Sequence, residues 1–333
     1  MVRQRVVAAV GGIGAAIVLC VAAVLPAAAA ATPVTSGSGL RISPVSTELT
    51  INPGASQTVT VDVQNVTAAA VTLRAVVNDF TASGDESGTP ALLLDPGQYA
   101  PTHSLKRYIA PLGDVTLQPG QQKGVKAVIT IPEGVPGGGY YGAIRFLPVG
   151  TDTSGRSVTL SASVASLILV RVTGTVKESL QLLSLGVRAT PAGSDRAVFF
   201  GNGGLTAAVR FRNDGNVQEQ PFGKVLLERG GKVLASYEIN NTTPRGNVLP
   251  DSTRKFIVNL DKVGMFGKYT LVGNFGYGTN GQLLSGQTTF YVVSLFAILL
   301  VVAIIAVILF LIFGLPRLVR AYNRQVLRKA GRR

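Results

Sequence analysis

The sequence predicts an all-β ectodomain of two tandem β-sandwiches followed by one C-terminal transmembrane helix. Three observations carry this reading. A run of 26 residues without a charge, Phe290 to Leu315, ends at Pro316 and is followed by seven basic residues and no acid. Between the two ends, short stretches of alternating apolar and polar residues recur, set off by Pro- and Gly-containing turns. No interior segment shows a helical period.

The elements follow in order. Residues 1–31 read as a signal peptide, with Arg3 and Arg5 at the start, an apolar stretch from Val6 to Leu25, and Ala29-Ala30-Ala31 placing cleavage before Thr32. Cys20 is the single cysteine, and Leu19 before it argues against lipid attachment. Residues 32–39 are small and polar, a short linker. The first sandwich is assigned to 40–175. Thr47 to Ile51 is a strand, Asn52-Pro53-Gly54 a turn, and Thr58 to Val63 a strand with Val59, Val61 and Val63 on one face. Strands at Val71 to Asp79, Val125 to Ile131, Tyr140 to Val149 and Val158 to Val172 complete it.

The second sandwich is assigned to 176–289 and ends in a hairpin, Tyr269 to Tyr277 with Leu283 to Tyr291, across Thr279-Asn280-Gly281-Gln282. Two echoes relate the sandwiches. Val59 to Asn65 and Val209 to Asn213 are both strands closed by Asn. Gln118-Pro119-Gly120-Gln121 and Leu249-Pro250-Asp251-Ser252 are both Pro turns feeding an alternating strand. Residues 290–315 are then the span, about 39 Å long as a helix against about 30 Å of hydrocarbon, and 316–333 a basic cytoplasmic tail. The tail's charge implies a single-pass type I protein in the cell membrane, its C-terminus cytoplasmic and its ectodomain extracellular. Arg317, Arg320, Arg324, Arg328 and Lys329 are the anchoring residues at the lipid surface.

Composition narrows the function. The net charge of +14 sits largely at the ends: of 31 Lys and Arg, two precede Val6 and seven follow Pro316, leaving 22 against 17 acids. No basic block suggests nucleic acid. With one histidine, His103, and no cysteine after residue 20, a His/Cys metal centre is excluded, no cofactor motif is present, and a Ser-His-Asp arrangement lacks a nucleophile elbow. Asp85, Glu86 and Asp95 are the one carboxylate group to consider for glycan cleavage, and their Gly/Ser/Pro-rich setting reads as solvated loop. The glycine-rich run Gly137-Gly138-Gly139 lacks the Lys-Ser/Thr of a phosphate loop and leads into a strand, with Tyr140 and Tyr141 on opposite faces, one core and one surface. Asn65, Asn240 and Asn241 fit the glycosylation pattern, read as chance. The chain is therefore expected to be non-catalytic.

The stretch Ala82 to Pro111 is the longest irregular segment and holds the candidate ligand-binding residues Tyr99, His103, Lys106, Arg107 and Tyr108. Their rings suit sugar faces and their cations suit carboxylates. The alternative is that Leu105, Tyr108 and Ile109 pack into the sandwich as a strand.

Pro53-Gly54 before Thr58 to Asn65, Ser104 to Ile109, Leu117 to Gln121, and Ile131-Pro132 followed by Gly138 to Ile144 together give the chain a family look. It resembles the bacterial WxL-interacting surface proteins. That resemblance implies two Ig-like β-sandwiches, the first binding peptidoglycan, with a membrane span and a basic tail. The expected partners are peptidoglycan or another wall polymer, other surface proteins, and the lipid bilayer. The expected role is adhesion or scaffolding. The alternative is a docking or chaperone-like subunit that takes up other surface proteins by β-strand addition.

Overall fold

The computed structural model describes residues 39–149 and 163–330, with the side chains of 325–330 left out. The signal segment, Cys20 and most of the linker lie outside the described residues. So do the start of the Val158 strand and the side chains of Arg328 and Lys329.

Two Ig-like β-sandwiches follow one another. In the first, β1 (Leu40–Ser43), β3 (Ser56–Asn65) and β7 (Gln122–Thr130) form one sheet in the order β1-β3-β7. The facing sheet runs β2 (Ser46–Ile51), β9 (Val164–Val172), β8 (Gly138–Pro148), β4 (Val71–Ala82), β5 (Pro90–Leu92), and β6 (Val115–Leu117) also pairs with β4. All pairs are antiparallel except β2 with β9. Val59, Val61 and Val63 are buried as their alternation requires, each burial contributing about 1.5 kcal/mol or more. They meet Leu73, Ile144, Phe146, Ile168 and Val170 from the facing sheet.

The second sandwich pairs a sheet of β10 (Leu180–Arg188), β12 (Thr206–Asn213) and β15 (Thr253–Asn259) with a five-stranded sheet. The latter runs β11 (Val198–Phe199), β17 (Gln282–Val292), β16 (Gly267–Tyr277), β13 (Phe222–Arg229), β14 (Lys232–Ile239). Its core is aromatic. Phe211 meets Phe275 edge-on at 5.0 Å between ring centroids, and Tyr269 stacks on Phe290 at 5.4 Å.

The two sequence echoes become one structural device used twice. Asn65 and Asn213 are both fully buried. Each side-chain oxygen accepts from the backbone N–H two residues on, Thr67 at 2.9 Å and Gly215 at 2.9 Å. Each side-chain amide donates to the carbonyl four residues on, Ala69 and Val217, both at 2.7 Å. Each also reaches a carbonyl at the Pro turn that leads into the neighbouring strand of its own sheet, Leu117 and Gln118 before β7 in one case and Val248 before β15 in the other. The backbones pair alike, Asn65 N to Gln121 O and Asn213 N to Ser252 O, both at 3.0 Å. Gly120 and Asp251, the residues after each proline, share the left-handed conformation at φ 73° and 56°.

The apolar run at the C-terminus divides differently from expectation. Phe290 to Val292 belong to β17, and Phe290 lies in the core of the second sandwich at 1 % exposure. The helix begins at Leu295, capped by the Ser294 hydroxyl accepting from Ala297 N. It continues as α1 (Leu295–Leu309), one π turn (Phe310–Gly314) and α2 (Leu315–Ala330), passing through Pro316. The π turn explains the passage: Leu315 N reaches back five residues to Phe310 O, and Pro316 has no N–H to place. The stretch Leu295–Arg324, 30 residues and unburied, is long and apolar enough to cross a membrane.

Candidate functional site

The sandwiches meet through the outer face of the first sandwich's larger sheet. Phe80, Tyr141, Ala143 and Leu169 there form a small apolar cluster completed by Leu249 of the second sandwich. Tyr140 and Tyr141 do take opposite faces of β8, but neither is a free surface residue. Tyr140 packs against the first core, and Tyr141 is buried at the junction, where burial pushes its phenol well above the usual range. The Tyr141 hydroxyl donates to Gln218 Oε1 at 3.1 Å.

The glycine run is explained here. Gly139 N donates to Asn216 O at 2.7 Å, and the Asn216 amide donates to Gly137 O at 2.9 Å. A Cβ on Gly138, which sits at φ 150°, would meet Asn216 O at 2.8 Å, and one on Gly139 would overlap the Tyr141 hydroxyl. Glycine is needed because two backbones touch.

A second fastening lies at the β4–β5 turn. Glu86 holds a left-handed conformation (φ 60°) at the turn tip. Its carboxylate takes both arms of Arg210, the Nε bond at 2.7 Å, and its carbonyl accepts from Lys255 N at 2.8 Å. The Arg210 bonds, outweighing burial, hold the Glu86 carboxyl below its ordinary value. Asp85 closes its own turn: bonds from the Ser83 hydroxyl and Ser87 lower its carboxyl to about 2. Asp95 accepts from Gly97 N at 2.9 Å. Each of the three carboxylates is engaged structurally, Asp85 and Asp95 within their own turns and Glu86 by Arg210 of the second sandwich.

The loop candidates are drawn together but largely engaged. His103 (φ 61°) shares a 2.6 Å hydrogen bond between Nδ1 and Gly139 O. Lys106 Nζ donates to Pro96 O at 2.6 Å and Gln98 O at 3.0 Å. Lys106 and Arg107 flank the Tyr99 ring at 4.7 and 4.6 Å, and Tyr99 remains 43 % exposed. Tyr108 packs edge-on to Tyr140 at 5.6 Å. The segment is fixed from below by the buried Asp79, which accepts from Ala100 N, Ser104 Oγ and Lys106 N. Leu105 and Ile109 are core residues, as the alternative reading had it, but around one 3₁₀ turn, Lys106–Tyr108, rather than a strand.

Beside the junction opens a cleft of about 310 Å³ that sequence reasoning missed. Its walls include Glu48 and Thr50 from β2, Arg171, Glu178, Gln218, Glu219, Gln220, Phe222 and Arg245. Gln220 and Asn247 donate to Glu48 Oε1 at 3.0 and 2.8 Å, Arg171 donates to Glu178 at 2.7 Å, and Arg245 lies 4.3 Å over the Phe222 ring. Glu219 is 3 % exposed and its Oε1 has no hydrogen-bond partner. Burial, reinforced by the neighbouring Glu178, raises its carboxyl to about 7. The nearest sequence signal is the polar run Gln218-Glu219-Gln220, and nothing local says that it faces Glu48.

A second hollow of about 170 Å³ lies along the same strand, lined by Ser46, Glu48, Phe80, Leu167, Leu169 and Leu249 among others. Between them β2 is an edge. Val45 O accepts from Leu167 N at 2.9 Å and Ile51 O from Thr173 N at 3.1 Å. By alternation, Ser46, Glu48 and Thr50 therefore aim their backbone N–H and C=O away from β9. Among the described residues no strand pairs with that side.

No family model matches the chain, and no curated protein matches it. Solved structures similar in fold include a class 5 fimbriae chaperone, CfaA, at 12 % identity and TM-score 0.38, covering 75 % of this chain and 98 % of that one. The E. coli chaperone DraB is similar at 18 % identity and TM-score 0.32, covering 76 % and 96 %. The Salmonella enterica SafA pilin–SafB chaperone complex gives 14 %, 0.32, 76 % and 95 %.

Proposed function

We propose that the chain is a membrane-anchored, non-catalytic docking protein. It takes an extended segment of another surface protein as an added strand along β2. The observation that carries this reading is the outer edge of β2, unpaired among the described residues and flanked by one polar and one apolar hollow. Main-chain bonds to Ser46, Glu48 and Thr50 would supply affinity, and alternate side chains entering the hollows would supply selectivity. A glycan is the weaker partner, because His103 Nδ1 and Lys106 Nζ of the candidate loop are already bonded to local carbonyls.

Thr50→Pro tests the edge. It removes one outward N–H without touching the β2–β9 ladder, at an edge position where proline is tolerated. Partner-segment binding should fall at least tenfold with little change in melting temperature. Unchanged binding would remove β2 as the docking edge.

A further inference from the structure

We infer that the lower end of the second sandwich is itself a membrane-contact surface. In this inference Phe200, Met265 and Phe266 are seated in the phospholipid head-group layer. It rests on Leu295–Arg324 being a membrane span.

The geometry leaves this end of the sandwich little choice of neighbour. Val292, the last residue of β17, pairs with Gly267 of β16 on one side and with Phe199 of β11 on the other. The loops that carry Met265-Phe266 and Phe200 therefore leave the sandwich at the level of Val292. The span helix starts at Leu295, and three residues of chain reach about 10 Å at most. Whatever the first turn of the helix enters, these loops are beside it.

Their chemistry fits that place. Phe200, Met265 and Phe266 are 67, 60 and 62 % exposed, close to the 71 % of Phe296 in the helix's first turn. Large apolar side chains held out at loop tips are unfavourable in water and favourable at a lipid interface. Cations surround them. Arg229 lies 5.5 Å over the Phe266 ring, Lys232 opposes Arg229 at the start of β14, and Lys268 opposes Tyr291 across the β16–β17 ladder. Exposed aromatics beneath a basic rim match a head-group layer, anionic lipid above all. The opposite end of the same hairpin offers a control: Leu283, 83 % exposed, stands nine residues up β17 from Val292, about 30 Å away along the strand.

The chain contains no tryptophan, so single Trp substitutions are clean depth probes. Phe200→Trp, Phe266→Trp, Leu283→Trp and Ile304→Trp would each be made in the full chain. Each would be reconstituted into phosphatidylcholine–phosphatidylglycerol vesicles without brominated lipid, with lipids brominated near the glycerol end of the acyl chains, and with lipids brominated near the methyl end. The expected result is blue-shifted emission and at least twofold quenching, by the shallow bromines at positions 200 and 266 and by the deep bromines at 304, with none at 283. Quenching at 304 with positions 200 and 266 behaving like 283 overturns the inference and leaves the span intact. A blue shift at 200 and 266 without bromine quenching assigns the patch to a second copy or another protein and also overturns it. No quenching at 304 removes the span and the seating together.

Discussion

Asn213→Ala asks how much of the second sandwich's stability resides in its buried corner. The side chain makes three hydrogen bonds with full burial, donating to Val217 O at 2.7 Å and Val248 O at 2.9 Å and accepting from Gly215 N at 2.9 Å. Alanine leaves two carbonyls and one N–H without their partner, at about 1 kcal/mol each, so a loss of about 3 kcal/mol is expected. For sandwiches of this size that is a fall in melting temperature of about 10 °C. Asn213→Asp separates hydrogen bonding from shape. The carboxylate keeps the bond from Gly215 N but sets a negative oxygen against two carbonyls, so its folded-state pKa lies above the unfolded value of about 3.9. Stability of that variant is then fullest below pH 4 and is lost as pH rises through the folded value. Calorimetry of wild type and both variants between pH 3.5 and 8 measures this. An alanine variant within 0.5 kcal/mol of wild type, or an aspartate variant indifferent to pH, would refute the reasoning. Asn65→Ala should behave alike in the first sandwich.

Three further expectations concern the junction and cleft. Glu219→Gln should raise the melting temperature at pH 8 and flatten its pH dependence: the wild-type carboxyl, raised to about 7 from an ordinary 4.5, contributes stability below pH 4.5 that is lost as pH rises through 7. A thermal-shift series across that range reads it directly. Glu86→Gln works in the opposite sense, because its carboxyl is held low by Arg210. It removes stability present above pH 4.5 that wild type loses only in stronger acid, about 1 kcal/mol or less for a partly exposed pair, readable by urea denaturation at pH 7. Gly139→Ala should separate the sandwiches locally, because its methyl overlaps the Tyr141 hydroxyl. Amide exchange at position 139 and at Lys177, whose N–H donates to Asn216 Oδ1 at 2.7 Å, should speed up while β3 and β16 stay protected.

Much of this fold could be read from residue order because its causes are local. Alternating valines define β3, Thr279-Asn280-Gly281-Gln282 fixes the last hairpin, and the Asn and Pro-turn echoes foreshadow two equivalent corners. Two misreadings have a physical source. The apolar run from Phe290 combines the last core-facing residues of β17 with an unburied apolar helix, and hydropathy weighs both alike. Pro316 looked like a terminus, yet a π turn lets the helix continue through it. The cleft was not legible at all, since Glu48 and Glu219 lie 171 positions apart in sequence and meet only because Leu249 and Asn216 dock one sandwich on the other. The candidate loop was visible as a segment, but its anchor, Asp79, sits outside it in β4.

The docking account stands or falls on the outward amides of β2. Extended peptides would be selected from a random library against the wild-type chain, and hydrogen exchange of Ser46, Glu48 and Thr50 measured with and without the best binder. The account predicts that these three amides are protected on binding, while Thr47 and Leu49, already facing β9, do not change, and that Thr50→Pro abolishes the effect. Binders that leave all three amides exchanging freely, or that bind Thr50→Pro equally well, would contradict it.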